Sequence, residues 1–197
     1  MIIYFDTETT GLRPGKICQL SYVMQGEEGV TAKNMFFHVG YVEPSAAAVH
    51  GFTADVLYEL SEGKIFADRA EEIAADFNAA EVVVAHNFSF DEMFMRAEFE
   101  RIGERFSYKN SLCSMKKFTP VCRLPRANGA AFKYPKLAEL CEFLDIYPYD
   151  VTRESMRLFK AAPSAHDARY DAAALYLAMN TAMQSEKKEF CSLKEKL

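Results

Sequence analysis

The sequence predicts an α/β fold with a mixed sheet, in which three antiparallel strands are followed by parallel strands and helices flank the sheet. Three strand-like segments lie within the first 42 residues, and the short connections between them favour antiparallel pairing. Further along, a continuous apolar run at 82–84 (VVV) lies between helical segments, as is typical of a strand buried in a parallel sheet.

The antiparallel part of the sheet is predicted from three segments. Residues 1–5 (MIIYF) form an apolar run, and 16–25 (KICQLSYVMQ) alternate well enough for a second strand. A turn-like 26–29 (GEEG) then leads to a third strand predicted over 30–42 (VTAKNMFFHVGYV). These three strands are expected to form a meander.

The middle of the chain changes from strand to helix. Short helices are predicted at 45–49 and 53–60, and apolar residues at helical spacing predict an amphipathic helix over 66–80. The segment 81–87 (EVVVAHN) is the next strand. Ser89 and Glu92 have the spacing of a capping box at the start of the following helix, and Gly103 marks its end.

The last third is predicted to be mainly helical. A short helix is expected at 111–118, a loop at 119–134, and a helix begun by Pro135. One or two turns are predicted at 152–159. Ser164 is expected to cap the last long helix, over 165–183.

The bulk composition indicates one globular domain, residues 1–184, followed by a charged tail, residues 185–197. No run approaches the roughly 20 apolar residues of a membrane span, and the N-terminus lacks the pattern of a signal peptide. The five cysteines are scattered and contain no Cys-x-x-Cys pair. We therefore expect reduced thiols, no zinc site and a cytoplasmic protein that does not associate with membranes.

Charge is distributed unevenly along the chain. The net charge is −5, yet residues 109–138 contain seven basic residues and no acidic one. A loop in this window carries basic residues around an aromatic pair, which suits the backbone and bases of a single strand. We expect it to bind nucleic acid; an ordinary solvated loop is the alternative. The basic residues concerned are Arg123, Arg126, Lys133 and Lys136, and the aromatic pair is Phe132 and Tyr134.

Acidic residues mark the candidate site. Asp6 and Glu8 follow the first strand two residues apart, so both side chains point to the same face. Two like charges on one face are stabilised by a divalent cation such as Mg²⁺, although a lone pair of this kind is more often simply solvated. Asp91 follows a later strand, and His166 and Asp171 lie near the C-terminus. Each of these has an ordinary surface interpretation when taken alone.

Taken together, the motifs resemble the DEDDh group of 3′-to-5′ exonucleases, the DnaQ-like branch of the ribonuclease-H-like superfamily. The resemblance rests on 5–12 (FDTETTGL), 85–91 (AHNFSFD) and 165–172 (AHDARYDA). Two secondary segments, 48–52 (AVHGF) and 136–140 (KLAEL), also look like the family. The resemblance covers nearly the whole chain and implies a ribonuclease-H-like mixed sheet.

The resemblance also implies an enzyme with two Mg²⁺ or Mn²⁺ ions per active site. By this analogy Asp6 bridges both ions, Glu8 and Asp171 help to hold the ion that binds the attacking water, and Asp91 serves the other ion. His166 is the expected general base. The product is expected to be a nucleoside 5′-monophosphate released from the 3′ end of single-stranded DNA or a frayed duplex.

Five further positions have weaker assignments as substrate contacts. Thr9 and Leu12 resemble family positions that touch the terminal nucleotide. His86, Asn87 and Phe88 are expected to line the same groove; the alternatives are a structural role at the strand end for His86 and Asn87, and core packing for Phe88.

Asp167 is a rival to Asp171 as a metal ligand. If the last helix starts at Ser164, Asp167 and Asp171 lie four residues apart and share a face. The alternative for Asp167 is the third position of a cap begun by Ser164. The family pattern, with its last carboxylate five residues after the histidine, favours Asp171.

Two other functions remain open from the sequence. One is an exoribonuclease of the same superfamily, since no motif distinguishes ribose from deoxyribose. The other is a non-catalytic module that binds nucleic acid. A polymerase or repair partner and a homodimer are both compatible with the sequence.

Overall fold

The computed structural model describes residues 1–126, 129, 131–163 and 165–185. Its centre is a five-stranded mixed sheet. The strands are β1 (Ile2–Thr9), β2 (Ile17–Gly26), β3 (Gly29–Phe36), β4 (Val82–Ala85) and β5 (Ser111–Cys113), in the spatial order β3-β2-β1-β4-β5. Strands β1 to β3 form an antiparallel meander, and β4 and β5 run parallel to β1. The predicted fold class is confirmed.

Eight α-helices of the described residues surround this sheet. A 3₁₀ helix, Phe66–Arg69, precedes α3. The helices are α1 (Pro44–His50), α2 (Ala54–Ser61), α3 (Ala70–Ala79), α4 (Phe88–Arg101), α5 (Ser114–Cys122), α6 (Leu137–Phe143), α7 (Pro148–Phe159) and α8 (Ala168–Gln184).

The alternation of side chains along β1 divides the core into two layers. Ile3 and Phe5 face one side, where they pack with buried residues of α3 and α4 such as Phe77 and Phe94. Tyr4 faces the other side, in a cluster with residues of α6, α7 and α8. The next two residues on the Tyr4 face are Asp6 and Glu8, so both carboxylates emerge on the face that α8 covers.

Several predicted boundaries are wrong. The third strand ends at Phe36 rather than at residue 42, and the predicted helix 66–80 begins as the 3₁₀ turn. Residues 111–113 form strand β5, and the helix that follows continues to Cys122 with Pro120 inside it. Helix α7 begins four residues before the predicted 152.

Two predicted helix starts are also wrong. Helix α4 starts at Phe88 with Asn87 at the N-cap, so Ser89 lies inside the helix. Its supposed partner Glu92 accepts hydrogen bonds from Arg96 and Tyr108 instead. Helix α8 starts at Ala168 with Asp167 at the N-cap. Ser164 and the predicted tail beyond Ser185 lie outside the described residues.

Among the described residues, no helix is both long enough and apolar enough to span a membrane.

Candidate active site

Strand β1 and helix α8 bring three carboxylates together. Asp6 and Glu8 project from β1, and Asp171 projects from the first turn of α8, which packs across the same face of the sheet. One ligand oxygen of each lies within 4.8 Å of the others. Residues from the two ends of the sequence therefore form one cluster.

Asp91 lies beside this cluster and is held differently. It sits in the first turn of α4 and is only 4% exposed. Its Oδ1 accepts hydrogen bonds from the hydroxyl of Thr7 at 2.8 Å and from the backbone N–H of Thr7 at 3.2 Å. Thr7 lies between Asp6 and Glu8 on β1, so it positions the fourth acidic residue.

The electrostatics of the site raise the pKa of each of its four carboxyl groups. Burial raises the pKa of Glu8 to about 9, and repulsion from Asp171 adds to the effect. The pKa of Asp6 lies well above its ordinary value, first because Asp6 is buried and then because Asp171, Asp91 and Glu8 repel its charge. Removal from water and crowding by like charges both disfavour the ionised form.

The pKa values of Asp91 and Asp171 are also raised by burial, but neighbouring groups oppose part of the rise. Burial raises the pKa of Asp91 to about 7, although the two hydrogen bonds from Thr7 oppose the rise. Burial likewise raises the pKa of Asp171 to about 6, against the opposing influence of His166. No lysine or arginine of the described residues forms an ion pair with any of the four carboxylates.

A divalent cation fits this donor set. Carboxylate oxygens are the ligands that Mg²⁺ and Mn²⁺ prefer, and within the described part of the chain no lysine or arginine pairs with this half-buried cluster. Asp6, Glu8 and Asp171 would hold the cation, with Asp91 beside them.

His166 lies in the turn before α8 rather than inside the helix. Its backbone has φ +63°, a left-handed conformation that few non-glycine residues adopt. The backbone N–H of His166 donates to Oδ2 of Asp171 at 3.1 Å, and the residue is exposed. The turn leaves the imidazole accessible next to the carboxylate cluster.

The sequence leaves Asp167 as an alternative metal ligand to Asp171. It does not belong to the carboxylate cluster formed by Asp6, Glu8 and Asp171. It caps α8 by accepting a hydrogen bond from the N–H of Arg169 at 3.0 Å. Its carboxylate also accepts from the guanidinium of Arg169 and from the side chain of Gln19. Burial opposes ionisation, but these hydrogen bonds outweigh it and lower the pKa of Asp167. The predicted role at the third position of a cap begun by Ser164 is wrong, because the helix begins at Ala168.

The predicted substrate contacts separate into two groups. Leu12 is 80% exposed, and Asn87 is exposed at the start of α4. Thr9 is buried, with its hydroxyl donating to the carbonyl of Gly11 at 2.9 Å. These three remain predictions.

In the second group, His86 and Phe88 make contacts within the protein, as the alternatives for these two residues predicted. The Nε2–H of His86 donates to the carbonyl oxygen of Pro135 at 2.9 Å, and its Nδ1 lies 2.9 Å from the hydroxyl of Ser114. Both ring nitrogens therefore have hydrogen-bond partners within the protein. Phe88 is 5% exposed and packs edge-on against Phe5, so its ring belongs to the core rather than to a groove.

The basic loop is partly ordered by its own contacts. Pro125 and Phe132 form an isolated antiparallel bridge, and the side chain of Arg126 donates to the carbonyl of Phe132 at 3.1 Å. Lys133 forms an ion pair with Glu139, an acid just outside the acid-free window. The positive charge of Lys133 is thus compensated, whereas Arg123 and Arg126 are exposed.

Sequence reasoning missed Thr7 and Gln19. Gln19 is fully buried on β2, opposite Glu8. The available signal was a polar residue within an apolar strand, at 17–23 (ICQLSYV). Thr7 lies between the two acidic residues of the motif and carries no separate signal.

A half-buried carboxylate cluster between the central strand of such a mixed sheet and a helix packed on it is the arrangement of the class predicted from the sequence, nucleases with a ribonuclease-H-like fold. The model of the exonuclease family RNase_T matches residues 3–179. The chain belongs to this family of hydrolases, and the predicted family membership is confirmed.

Curated relatives agree with this assignment. The DNA polymerase III subunit epsilon of Salmonella typhimurium is 32% identical over 125 residues, which cover 57% of this chain and 49% of the relative. The same subunit from Escherichia coli K12 is 31% identical over 133 residues, covering 61% and 52% of the two chains. The matched regions thus account for about half the length of these relatives.

A solved structure supports the fold. E. coli exonuclease I in complex with a dA16 oligonucleotide superposes with a TM-score of 0.73 at 17% identity, covering 98% of this chain and 43% of that one. At this identity the likeness concerns the fold alone.

Proposed function

We propose that the chain is a metal-dependent 3′-to-5′ exonuclease that removes nucleoside 5′-monophosphates from the 3′ end of single-stranded DNA or frayed duplex ends. The observation that carries the proposal is the group formed by Asp6, Glu8 and Asp171, with His166 accessible beside it. Membership of the exonuclease family supports the reaction type.

In the proposed mechanism, two Mg²⁺ or Mn²⁺ ions, when bound, would supply charge neutralisation and the activation of water needed for attack on the phosphodiester. Asp6, Glu8 and Asp171 would hold these ions at the end of β1, and Asp91, which accepts two hydrogen bonds from Thr7, would complete the acidic set. His166 accepts the proton of the attacking water through its accessible imidazole. Its hydrogen bond from the backbone to Asp171 keeps this base next to the cluster.

DNA is the preferred substrate in this proposal. The curated relatives are named as subunits of a DNA polymerase, and the structural neighbour holds a deoxyadenosine oligonucleotide. We also propose that the protein acts on the 3′ end and that it works with a polymerase or with repair proteins.

The basic loop is proposed to contact the nucleic acid upstream of the 3′ end. His86 lies in the turn after β4, the strand that pairs with β1, and its hydrogen bond to the carbonyl of Pro135 holds the end of the loop. Exposed Arg123 and Arg126 provide charge for the phosphates. The rings of Phe132 and Tyr134, 45% and 51% exposed, provide stacking surfaces. Lys133 is assigned a smaller part because Glu139 neutralises it.

End-labelled single-stranded DNA, duplex DNA and RNA of one sequence test the proposal. With Mg²⁺ or Mn²⁺, the wild-type protein should shorten single-stranded DNA from its 3′ end, and Asp6→Asn should not. Preferential digestion of RNA would assign the exoribonuclease alternative. Binding of DNA without digestion, equal in wild type and Asp6→Asn, would assign a non-catalytic module and reject the enzyme.

A further inference from the structure

Gln19 is a fully buried polar residue on the sheet face that carries the candidate site. It lies on β2 directly opposite Glu8, and directly opposed residues of antiparallel strands have their Cβ atoms about 5 Å apart. Burial of an amide is costly unless its donors and acceptors are satisfied. The partners of Gln19 therefore show what the residue does.

The amide of Gln19 joins β2 to the N-terminus of α8. Its Oε1 accepts a hydrogen bond from the backbone N–H of Ala168 at 3.1 Å, and its Nε2 donates to Oδ1 of Asp167 at 3.0 Å. Nε2 also donates to Oδ1 of Asn34 at 2.8 Å. Two acceptors on one side and an N–H on the other fix the orientation of the amide.

Hydrogen bonds connect Asp167, which Gln19 contacts, to Asp171 and His166 of the candidate site. Asp167 caps α8, and its backbone carbonyl accepts from the N–H of Asp171 at 3.1 Å. Asp171 in turn accepts from the backbone N–H of His166. The first turn of α8 would otherwise have unsatisfied N–H groups, so the contact with Gln19 sets where this turn lies against β1.

We propose that Gln19 is a positioning residue for the carboxylate cluster: it docks the N-terminus of α8 so that Asp171 meets Asp6 and Glu8 and His166 faces them. The proposal rests on the proposed function for its catalytic consequence. Its structural part concerns assembly of the cation site and is independent of the substrate.

The chain contains a matched control for this contact. Gln25 lies six residues further along β2, on the same face. Its Nε2 donates to Oδ1 of Asn180 at 3.0 Å, about three turns further along α8. Gln25 thus also links β2 to α8, but far from Asp171. A general contribution to helix docking would be shared by both glutamines, whereas positioning of the site would belong to Gln19.

The test compares Gln19→Leu, Gln19→Glu and Gln25→Leu with wild type. Gln19→Glu keeps the side-chain size but replaces both N–H donors with an oxygen that faces Asp167 and Asn34. Each variant is titrated with Mn²⁺ and followed by electron paramagnetic resonance, and kcat and KM are measured on a labelled oligonucleotide. Thermal unfolding verifies that the variants are folded.

Both Gln19 variants should bind Mn²⁺ roughly 10- to 100-fold more weakly, with kcat reduced to a similar degree and KM for the oligonucleotide little changed. Gln25→Leu should lower the melting temperature while leaving Mn²⁺ affinity and kcat at wild-type values. If Gln19→Leu does not fold, the comparison of Gln19→Glu with wild type decides the test. Unchanged Mn²⁺ affinity in a folded Gln19 variant, or an equal loss in Gln25→Leu, would overturn the proposal.

Failure of the proposed function has a different outcome. A wild-type protein that binds Mn²⁺ but does not shorten DNA or RNA would reject the exonuclease activity. The role of Gln19 would still be decided by the Mn²⁺ titrations.

Discussion

The backbone N–H of His166 donates a hydrogen bond to Oδ2 of Asp171 at 3.1 Å. This contact joins a residue in the turn before α8 to a carboxylate of the cluster on the helix itself. It depends on the left-handed backbone of His166, φ +63°, which directs the N–H back toward the helix. A backbone hydrogen bond, which does not involve the imidazole, therefore holds the proposed base close to a proposed cation ligand.

His166→Asn should separate these two contributions of the residue. Asparagine tolerates the left-handed conformation and keeps the backbone hydrogen bond, but it cannot act as a general base near neutral pH. We expect kcat to fall by roughly 10²- to 10⁴-fold, while Mn²⁺ affinity stays at the wild-type value. Steady-state digestion of an end-labelled oligonucleotide and Mn²⁺ titration measure the two quantities. A wild-type kcat would remove His166 from the mechanism.

Thr7→Val should weaken the site through Asp91. Valine matches threonine in shape but lacks the hydroxyl that donates to Asp91 at 2.8 Å, so a buried carboxyl group loses one of its two donors from Thr7. We expect a loss of about 1–3 kcal/mol in unfolding free energy, a further rise in the pKa of Asp91, and lower activity at pH 7. Chemical denaturation and initial rates measure these effects.

Thr7→Ser is the control for that change, because it keeps the hydroxyl and should retain most of the activity. Equal losses in the serine and valine variants would show that the methyl group of Thr7, rather than its hydrogen bond, matters.

The metal-free protein should lose stability as the pH rises from 6 to 9. The pKa of Asp91 is raised to about 7 and that of Glu8 to about 9, chiefly by burial. Such carboxyl groups bind protons more tightly in the folded chain than in the unfolded chain, so their stabilising contribution at low pH is lost as they ionise. In the presence of a chelator, the melting temperature should fall by roughly 5 °C or more across this range.

Addition of Mg²⁺ or Mn²⁺ at pH 8 should reverse the loss, because a ligand that binds only the folded state stabilises it. The double variant Asp6→Asn, Glu8→Gln should show a flatter dependence on pH and little response to the cation. A metal-free wild type whose melting temperature rises between pH 6 and pH 9 would contradict the prediction.

Arg123→Ala combined with Arg126→Ala should weaken binding to single-stranded DNA. Removal of two phosphate contacts is expected to reduce the slope of log K against log salt concentration by roughly 1.4. Fluorescence anisotropy with Asp6→Asn protein, which should not digest its ligand, gives the slope. Lys133→Ala alone should have a smaller effect because Lys133 is paired with Glu139.

The double variant Arg153→Ala, Arg157→Ala is the control, since it changes the net charge equally. Both arginines lie on α7 and pair with acidic residues one turn earlier. An equal change of slope in both double variants would attribute the effect to overall charge and reject the loop as a binding surface.

Strong periodic patterns predicted the sheet and most helices of this chain. The apolar run of β1 and the continuous valines of β4 predict buried strands, and these two strands pair in the interior of the sheet. Weak local signals failed. Strand β5 has three residues, too few to display an alternation, and its identity comes from pairing with β4. The Ser89 to Glu92 spacing matched a capping box, yet Glu92 has stronger partners in Arg96 and Tyr108.

The part of the candidate site that was predictable consists of residues that lie in sequence motifs. Asp6, Glu8 and Asp171 meet because strand alternation and the docking of α8 place them on one face. The roles of His86 and Phe88 could not be decided from the sequence, because each depends on a distant partner: Pro135 and Phe5. Asp167 combines a local partner, Arg169, with the distant Gln19. Contacts between residues so far apart in the chain leave no local pattern.

Assembly of the cluster depends on a contact between β1 and α8, two segments that are far apart in the sequence. Two of its carboxylates are on β1, and the third arrives only when α8 docks. Closing such long loops is entropically unfavourable and slow relative to local structure. A nascent chain that has made β1 to β4 but not yet residue 171 would carry Asp6, Glu8 and Asp91 without their last partner. We therefore expect the three-carboxylate cluster to assemble only once α8 has docked on β1, rather than to act as a nucleus around which the fold grows.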